Sequence, residues 1–514
     1  MTQSKIIFKP VFTQKGPGPH LHNFVLTQDE QNDVFYSDVR IESDGIVITN
    51  LMGKKKFSIS VRWNVEGFGY LFMPADNEGE FYELPQGGTK TLNLSYELAK
   101  TRIHKNKSRI DSFRDCGYVP SFELQKMIDI GNHFLDEAKK IIHDEYLCAG
   151  FAQQSLKYSL EASEMIEIEK ARYDITKNGA RPDFLFGCDT RGYFKMEKDL
   201  FFERFTELFN FATITHYLKG DIIDFEPEEG KKHFKERDEM LDMLLEKNVT
   251  VLGRPLFWSH NWVTPEWLKN KSFTDLKKYL KNHIKEVIGH YGNKIKVWEV
   301  VNEMHDWANE LSLDQKQLIE LSKLACDVAR DTNPEIKLLI NNCCPFAEYV
   351  QLRKWGQRDA KFPQRTPHQF TRDLLDAGAD FDLIGAQVYF VHRTIAETVS
   401  FIERYSEFGK QMHLAEIGSP SKGITLEFWE DDLDWSTQPY EWHRHWDEEL
   451  QADWLEKIFT IGYSKPYIQA ANWYDFADPI GFLKSGGILR SVNGEKKAAC
   501  DRLLELKHKW NNLK

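Results

Sequence analysis

Cysteine is scarce in this chain: seven in 514 residues, scattered and odd in number, so no disulfide framework organises it. Cys343 and Cys344 are adjacent, and the absence of any C-x-x-C pair removes the usual ligand spacing of structural zinc. The thiols are therefore expected to be mostly reduced. No apolar run approaches the roughly 18 residues of a membrane span. The start, MTQSKIIFKPVF, lacks the charged leader and long apolar stretch of a signal peptide. The expected location is the cytoplasm, or outside the cell after removal of an export signal. Basic residues are outnumbered 67 to 79, a net charge of −12, which argues against any general affinity for nucleic acid or an anionic membrane. There is no short-period repeat and no low-complexity tract. The GPGPH at Gly16–His20 is turn chemistry, without the strand, helix and following lysine of a phosphate loop.

What the chain does have is length and aromatic side chains. At 514 residues two or more domains are expected. Aromatics make up 13% of residues and include 14 Trp. Flat rings suit the C–H face of a sugar, although a large core also uses them. From Lys5 to about Ile110 the pattern is short and alternating, with Phe57, Ile59, Val61 and Trp63 on one face of a period-2 run. Gly, Asn, Asp and Pro clusters separate the runs, which predicts a small β-sandwich over residues 1–115. It is a candidate carbohydrate-binding module, with Trp63, Tyr70, Phe72, Phe81 and Tyr82 available either for a binding face or for the sandwich core. Residues 116–180, rich in Leu, Ala, Glu and Lys, read as a helical connector of one or two helices.

Across 181–514 strand-like runs alternate with amphipathic helices. The runs are Phe184–Gly187, Phe211–Thr215, Thr250–Trp258, Lys296–Asn302, Ile336–Asn341, Leu383–Val388, Gln411–Glu416 and Ile468–Tyr474. Eight such runs predict an α/β fold, a (β/α)8 TIM barrel. Barrel active sites sit at the C-terminal ends of the strands, and two acids stand there. KVWEVVNEM closes the fourth run with Asn302-Glu303, and QMHLAEIG closes the seventh with Glu416. Carboxyls facing each other across a cleft suit glycosidic cleavage, one protonated to release the leaving oxygen and one ionised to attack. A single Glu at a strand end is ordinarily a solvated loop residue; two such acids, one of them preceded by Asn, point to chemistry.

HIKEVIGHYGNKIKVWEVVNEMHD resembles the acid/base block of family 10 glycoside hydrolases, the xylanase family, and KQMHLAEIG resembles its nucleophile block. Supporting blocks follow in the family's order, among them GRPLFWSHNWVTPEWL, FDLIGAQVYF and IQAANWYDFADP. The resemblance implies Glu303 as acid/base and Glu416 as nucleophile of a retaining, endo-acting hydrolase of β-1,4-linked polysaccharide, xylan first. It implies hydroxyl contacts from Asn302, Lys219 and Gln387, a sugar platform at Trp473 and a subsite wall at Trp258. Four departures accompany it. Thr215-His216 stands where the family has Glu-Asn, and Trp258-Ser259 where it has Trp-His, with His260 one place later. Tyr389 replaces the His that steadies the nucleophile, and Gly418 replaces an Asp. His216, His260 and Tyr389 are accordingly placed in the sugar-binding set. Alternatives are a hydrolase of the same barrel clan acting on another β-glycan, or a barrel that binds glycan without cleaving it. No metal or organic cofactor is required.

Three lesser features complete the reading. The acidic loop 418–441, with Phe428, Trp429 and Trp435, either lines the cleft or packs on the barrel. His443 and His445 read as structural or solvated rather than metal-binding, and His305-Asp306 as orienting Glu303 rather than binding a cation.

Overall fold

The computed structural model describes residues 4–11, 25–355, 358–389, 393–422 and 441–513. Eight parallel strands close into a barrel: β1 (Leu185–Asp189), β2 (Phe211–Thr215), β3 (Thr250–Arg254), β4 (Val297–Asn302), β5 (Lys337–Asn342), β6 (Leu383–Val388), β7 (Gln411–Ile417) and β8 (Ile468–Trp473). Each pairs with its sequence neighbours, β8 pairs with β1, and the pairing of β3 with β4 completes the ring. The strands are buried almost end to end, as expected where helices cover one face and the barrel interior the other. Phe211, Leu252, Val297, Leu339, Leu383 and Ala470, all near strand starts, form one apolar layer that plugs the lower end.

The surrounding helices begin where side chains can satisfy their first free N–H groups. Ser272 accepts from Asp275 at the start of Phe273–Tyr291, and capping boxes at Asp314 and Thr366 open Gln315–Thr332 and Pro367–Asp376. Among the described residues no helix is long and apolar enough to cross a membrane.

The N-terminal part forms two sheets. One orders Asp38–Glu42, Gly45–Asn50, Lys5–Lys9 and Thr89–Asn93; the other is built on Val25–Gln28, Lys56–Val65 and Gly69–Ala75. Phe8 from the first sheet packs edge-on to Tyr82 and Phe57 beside the second. Three helices follow: α1 (Leu94–Ser112), α2 (Phe122–Lys140) and α3 (Glu145–Asn178). The β pattern expected to reach Ile110 therefore ends at Asn93, whose side chain caps α1. At 34 residues α3 is about 50 Å long. It braces the barrel: Arg109 of α1 holds Glu167 of α3 and Glu403 of the barrel helix Ile395–Tyr405 in bidentate pairs at 2.7–2.8 Å.

This bracing consumes the aromatic face of the N-terminal sheets. Trp63 is buried and donates to Gln153 of α3, Phe72 lies under the guanidinium of Arg393 from the barrel, and Tyr82 donates to Glu97 at 2.5 Å. Tyr70 is buried as well, and only Phe81 is partly exposed. Four of the five rings are therefore committed to packing.

Candidate active site

The two carboxyls expected from the sequence meet at the barrel mouth. A register shift between β6 and β7 sets Gln387 directly beside Glu416, and a second shift in β4 precedes Asn302. Bulges of this kind re-aim side chains at sheet ends. Glu303 follows immediately in the left-handed region at φ 52°, its N–H donating to Asn341 O at 2.8 Å. A non-glycine residue held there costs on the order of 1 kcal/mol, and the return is a carboxyl turned into the mouth.

Gln387 joins the pair. Its amide nitrogen donates to Glu303 Oε1 at 2.8 Å and to Glu416 Oε1 at 3.2 Å, so those oxygens are at most about 6 Å apart. Glu416 is densely held: Oε1 also accepts from Asn341 at 2.9 Å and from Arg254, while Oε2 accepts from Tyr389 at 2.9 Å. Glu303 has Gln387 on Oε1, and its buried Oε2 has no partner among the described residues. Burial and, next, the neighbouring Glu416 push Glu303 up to about 8. One carboxyl is thus built to keep a proton near neutrality and the other is wrapped by donors.

A third acid lies beneath them. Glu299 of β4 is buried, 3.2 Å from Arg254 Nε and 3.2 Å from Asn341 Nδ2. Burial raises it to about 8, with Arg254 opposing and Glu416 and Glu303 adding to the rise. Burial disfavours the charge on Arg254, but Glu299 and Glu416 outweigh it and keep the guanidinium protonated. Arg254, Glu299 and Asn341 were not anticipated as site residues. The available signal was a charged residue inside an otherwise apolar buried strand, which is uncommon without a partner.

The remaining expected residues divide. Asn302 is buried at the mouth, with its Oδ1 free among the described residues. Trp258 stacks on His260 at 5.0 Å and lies 5.4 Å from Tyr217; His260 in turn stacks on Trp307 at 5.5 Å. These rings form an aromatic row above β2, β3 and β4, and Trp262 beside it is 48% exposed. Lys219 is half-buried in the loop after β2. By contrast Trp473 is fully buried, edge-on to Trp454, with its indole N–H on Gly486 O. His216 also faces the scaffold: its ring nitrogens meet Ile214 O and Tyr291 OH, and the ring packs against Phe225 and Trp298. Thr215 is tied to Asp221. Neither tip residue of β2 is available to a sugar in this arrangement.

Two departures prove to be one. A Cβ at Gly418 would stand 2.9 Å from the Tyr389 ring, so the tyrosine that holds Glu416 needs glycine there. His305 meets Tyr349 OH at 3.0 Å and Cys343 Sγ at 3.5 Å, and Asp306 is engaged by Arg365. His443 pairs with Glu164, and no group of three metal-ligating side chains occurs among the described residues. Gly16–His20, Phe428, Trp429 and Trp435 lie outside the described residues.

The model of glycosyl hydrolase family 10 matches residues 180–499. Among curated relatives, endo-1,4-beta-xylanase B of Thermotoga neapolitana is 24% identical over 293 residues, covering 54% of this chain and 74% of the relative. Endo-1,4-beta-xylanase 1 of Arabidopsis thaliana is 22% identical over 319 residues, 61% of this chain but 29% of that protein. The chain thus spans less than a third of the length of that relative. Among solved structures, GH10 from Paenibacillus barcinonensis aligns with a TM-score of 0.48 and 18% identity, over 63% of this chain and 95% of the other. The family model covers more than half of the sequence, including all eight barrel strands and both mouth carboxyls, and the chain therefore belongs to glycosyl hydrolase family 10.

Proposed function

We propose that this protein is a retaining, endo-acting hydrolase of β-1,4-linked polysaccharide, with xylan as its substrate. Glu303 is the acid/base in this reading and Glu416 the nucleophile. The observation that carries it is Gln387, which bonds both carboxyls and keeps them within about 6 Å. Retaining enzymes use a spacing of roughly 5–5.5 Å, whereas inverting enzymes need about 6.5 Å or more to admit water between the acids. The surroundings support the roles: burial and the neighbouring Glu416 push Glu303 up to about 8, and Glu416 accepts hydrogen bonds on both oxygens.

In the first step Glu303 protonates the leaving oxygen while Glu416 bonds to the anomeric carbon and the glycosidic bond breaks. In the second, a water bonds to that carbon, its proton passes to the now basic Glu303, and Glu416 leaves. The partner is a β-glycan chain, with Asn302 offering a free acceptor to a hydroxyl and the partly exposed rings of Trp258 and Trp307, beside the exposed Trp262, offering apolar contact. The two curated relatives are endo-1,4-beta-xylanases by name, which supports xylan. A second reading, another β-glycan, is favoured by Thr215 and His216, both committed to the scaffold where the family resemblance would place sugar contacts.

The test is reducing-sugar release from a panel of β-glycans, xylans included, by wild type and Glu416→Ala, with NMR of the first-formed anomer. Release from xylan as the β-anomer, abolished in the variant, supports the proposal. Release from a different glycan supports the second reading, and α-anomer as first product refutes retention.

A further inference from the structure

Arg254 ends β3 and is buried at the base of the mouth, where it touches two of the three carboxyls at once. Its Nη2 donates to Glu416 Oε1, and its Nε lies 3.2 Å from Glu299 Oε2. Asn341 spans the same two acids with one amide nitrogen, 2.9 Å from Glu416 Oε1 and 3.2 Å from Glu299 Oε2. The two oxygens of Glu416 are therefore unequal. Oε1 accepts from Arg254, Asn341 and Gln387, whereas Oε2 accepts from Tyr389. With three N–H donors on Oε1, the lone pairs available for bonding are those of Oε2.

We propose that Arg254 is a positioning residue for the second step: it holds Oε1 while the sugar is carried on Oε2, and its charge receives the carboxylate as the sugar leaves. The proposal rests on Glu416 being the nucleophile. In the glycosyl ester Oε1 is the carbonyl oxygen, still facing Arg254. When water bonds to the anomeric carbon and gives its proton to Glu303, the carbon–Oε2 bond breaks and its electron pair returns to Glu416. The negative charge then grows against a cation already in place, where a preorganised donor acts most strongly. In the first step the same contact opposes the reaction, because it stabilises the carboxylate that must attack. Glu299 flanks the guanidinium on its other side, 3.2 Å from Nε.

A residue that served only folding would depress both steps alike; Arg254 is expected to separate them. The probe is 2,4-dinitrophenyl β-xylobioside, whose leaving group needs no proton, followed by stopped flow. In Arg254→Gln, kcat falls about 10- to 100-fold, the range for losing a hydrogen bond to a charged group. KM falls with it, so kcat/KM changes little. A burst of one equivalent of dinitrophenolate appears, and mass spectrometry finds the xylobiosyl ester on the Glu416 peptide during turnover. Arg254→Lys, which keeps the charge, recovers part of kcat. A fall of kcat/KM as large as that of kcat, with no burst, overturns the proposal. If Arg254→Gln does not fold, Arg254→Gln/Glu299→Gln removes the buried charge together with its partner and is read in the same way. The underlying assignment is tested separately. If Glu416→Gly keeps wild-type turnover, or the ester maps to another residue, Glu416 is not the nucleophile whatever Arg254 does.

Discussion

Replacing Glu416 with Gln should loosen the proton on Glu303. Two causes hold that proton: burial first, then the charge of Glu416. Glu416→Gln removes the second and leaves the first. With the carboxyl oxygens at most about 6 Å apart, the mutual repulsion is about 3 kcal/mol at an effective dielectric of about 20. That corresponds to about two pH units. Loss of a neighbouring negative charge favours the ionised form, so the titration of Glu303 moves to lower pH. It stays above the ordinary 4.5 because the residue remains buried. In the proposed reaction, esterification of Glu416 removes the same charge, which would turn Glu303 from acid in the first step to base in the second. The assay is NMR of protein labelled with 13C at the glutamate carboxyl, with the Glu303 signal assigned by its loss in Glu303→Gln. It is run on wild type, on Glu416→Gln and on enzyme trapped with a 2-fluoro-xylobioside. Titration at about 8 in the first, and at lower pH in the other two, is expected. An unchanged midpoint in Glu416→Gln would show that the acids do not sense each other and would refute the electrostatic account.

Two further outcomes follow from the packing. Gly253 of β3 has the indole of Trp298 where a side chain would begin, so Gly253→Ala forces that ring aside and costs about 1–3 kcal/mol, read as a lowered Tm without new exposed surface charge. His443 ties the short strand pair after the acidic loop to Glu161 and Glu164 of α3; burial alone would lower its pKa, but the two acids raise it to about 9. A histidine raised on folding stabilises fully below its unfolded value of about 6.5, and that stability is lost as pH rises through about 9. His443→Gln is therefore expected to cost about 1 kcal/mol at pH 6 after allowance for partial exposure, and almost nothing at pH 10. A constant difference between the two pH values would refute the ion pair.

Patterns that depend on near neighbours in the chain were legible before any coordinates. Parallel strands buried on both faces must be continuous apolar runs, and all eight were found within a few residues of their observed limits. Glu303 and Glu416 stood out because each ends such a run. What failed to show was pairing across the barrel. Arg254 and Glu299 are 45 positions apart in the chain, and nothing local to either indicates that β3 and β4 adjoin to close the ring. The helix α1 was hidden for a related reason: Thr91–Leu98 alternates as a strand would, and the Asn93 cap decides the switch.

The sequence by itself determined the barrel, its mouth and the two acids there, because hydrophobic period and strand length are local properties. Tertiary structure alone decided which side chains face the mouth. Trp473 and His216 stand at strand ends as expected, yet both are turned into packing, and Trp63 and Phe72 are taken up by α3 and Arg393. A ring or an acid has the same local signature whether it meets a sugar, a neighbouring helix or a buried guanidinium; its function is set by the partner that folding brings to it.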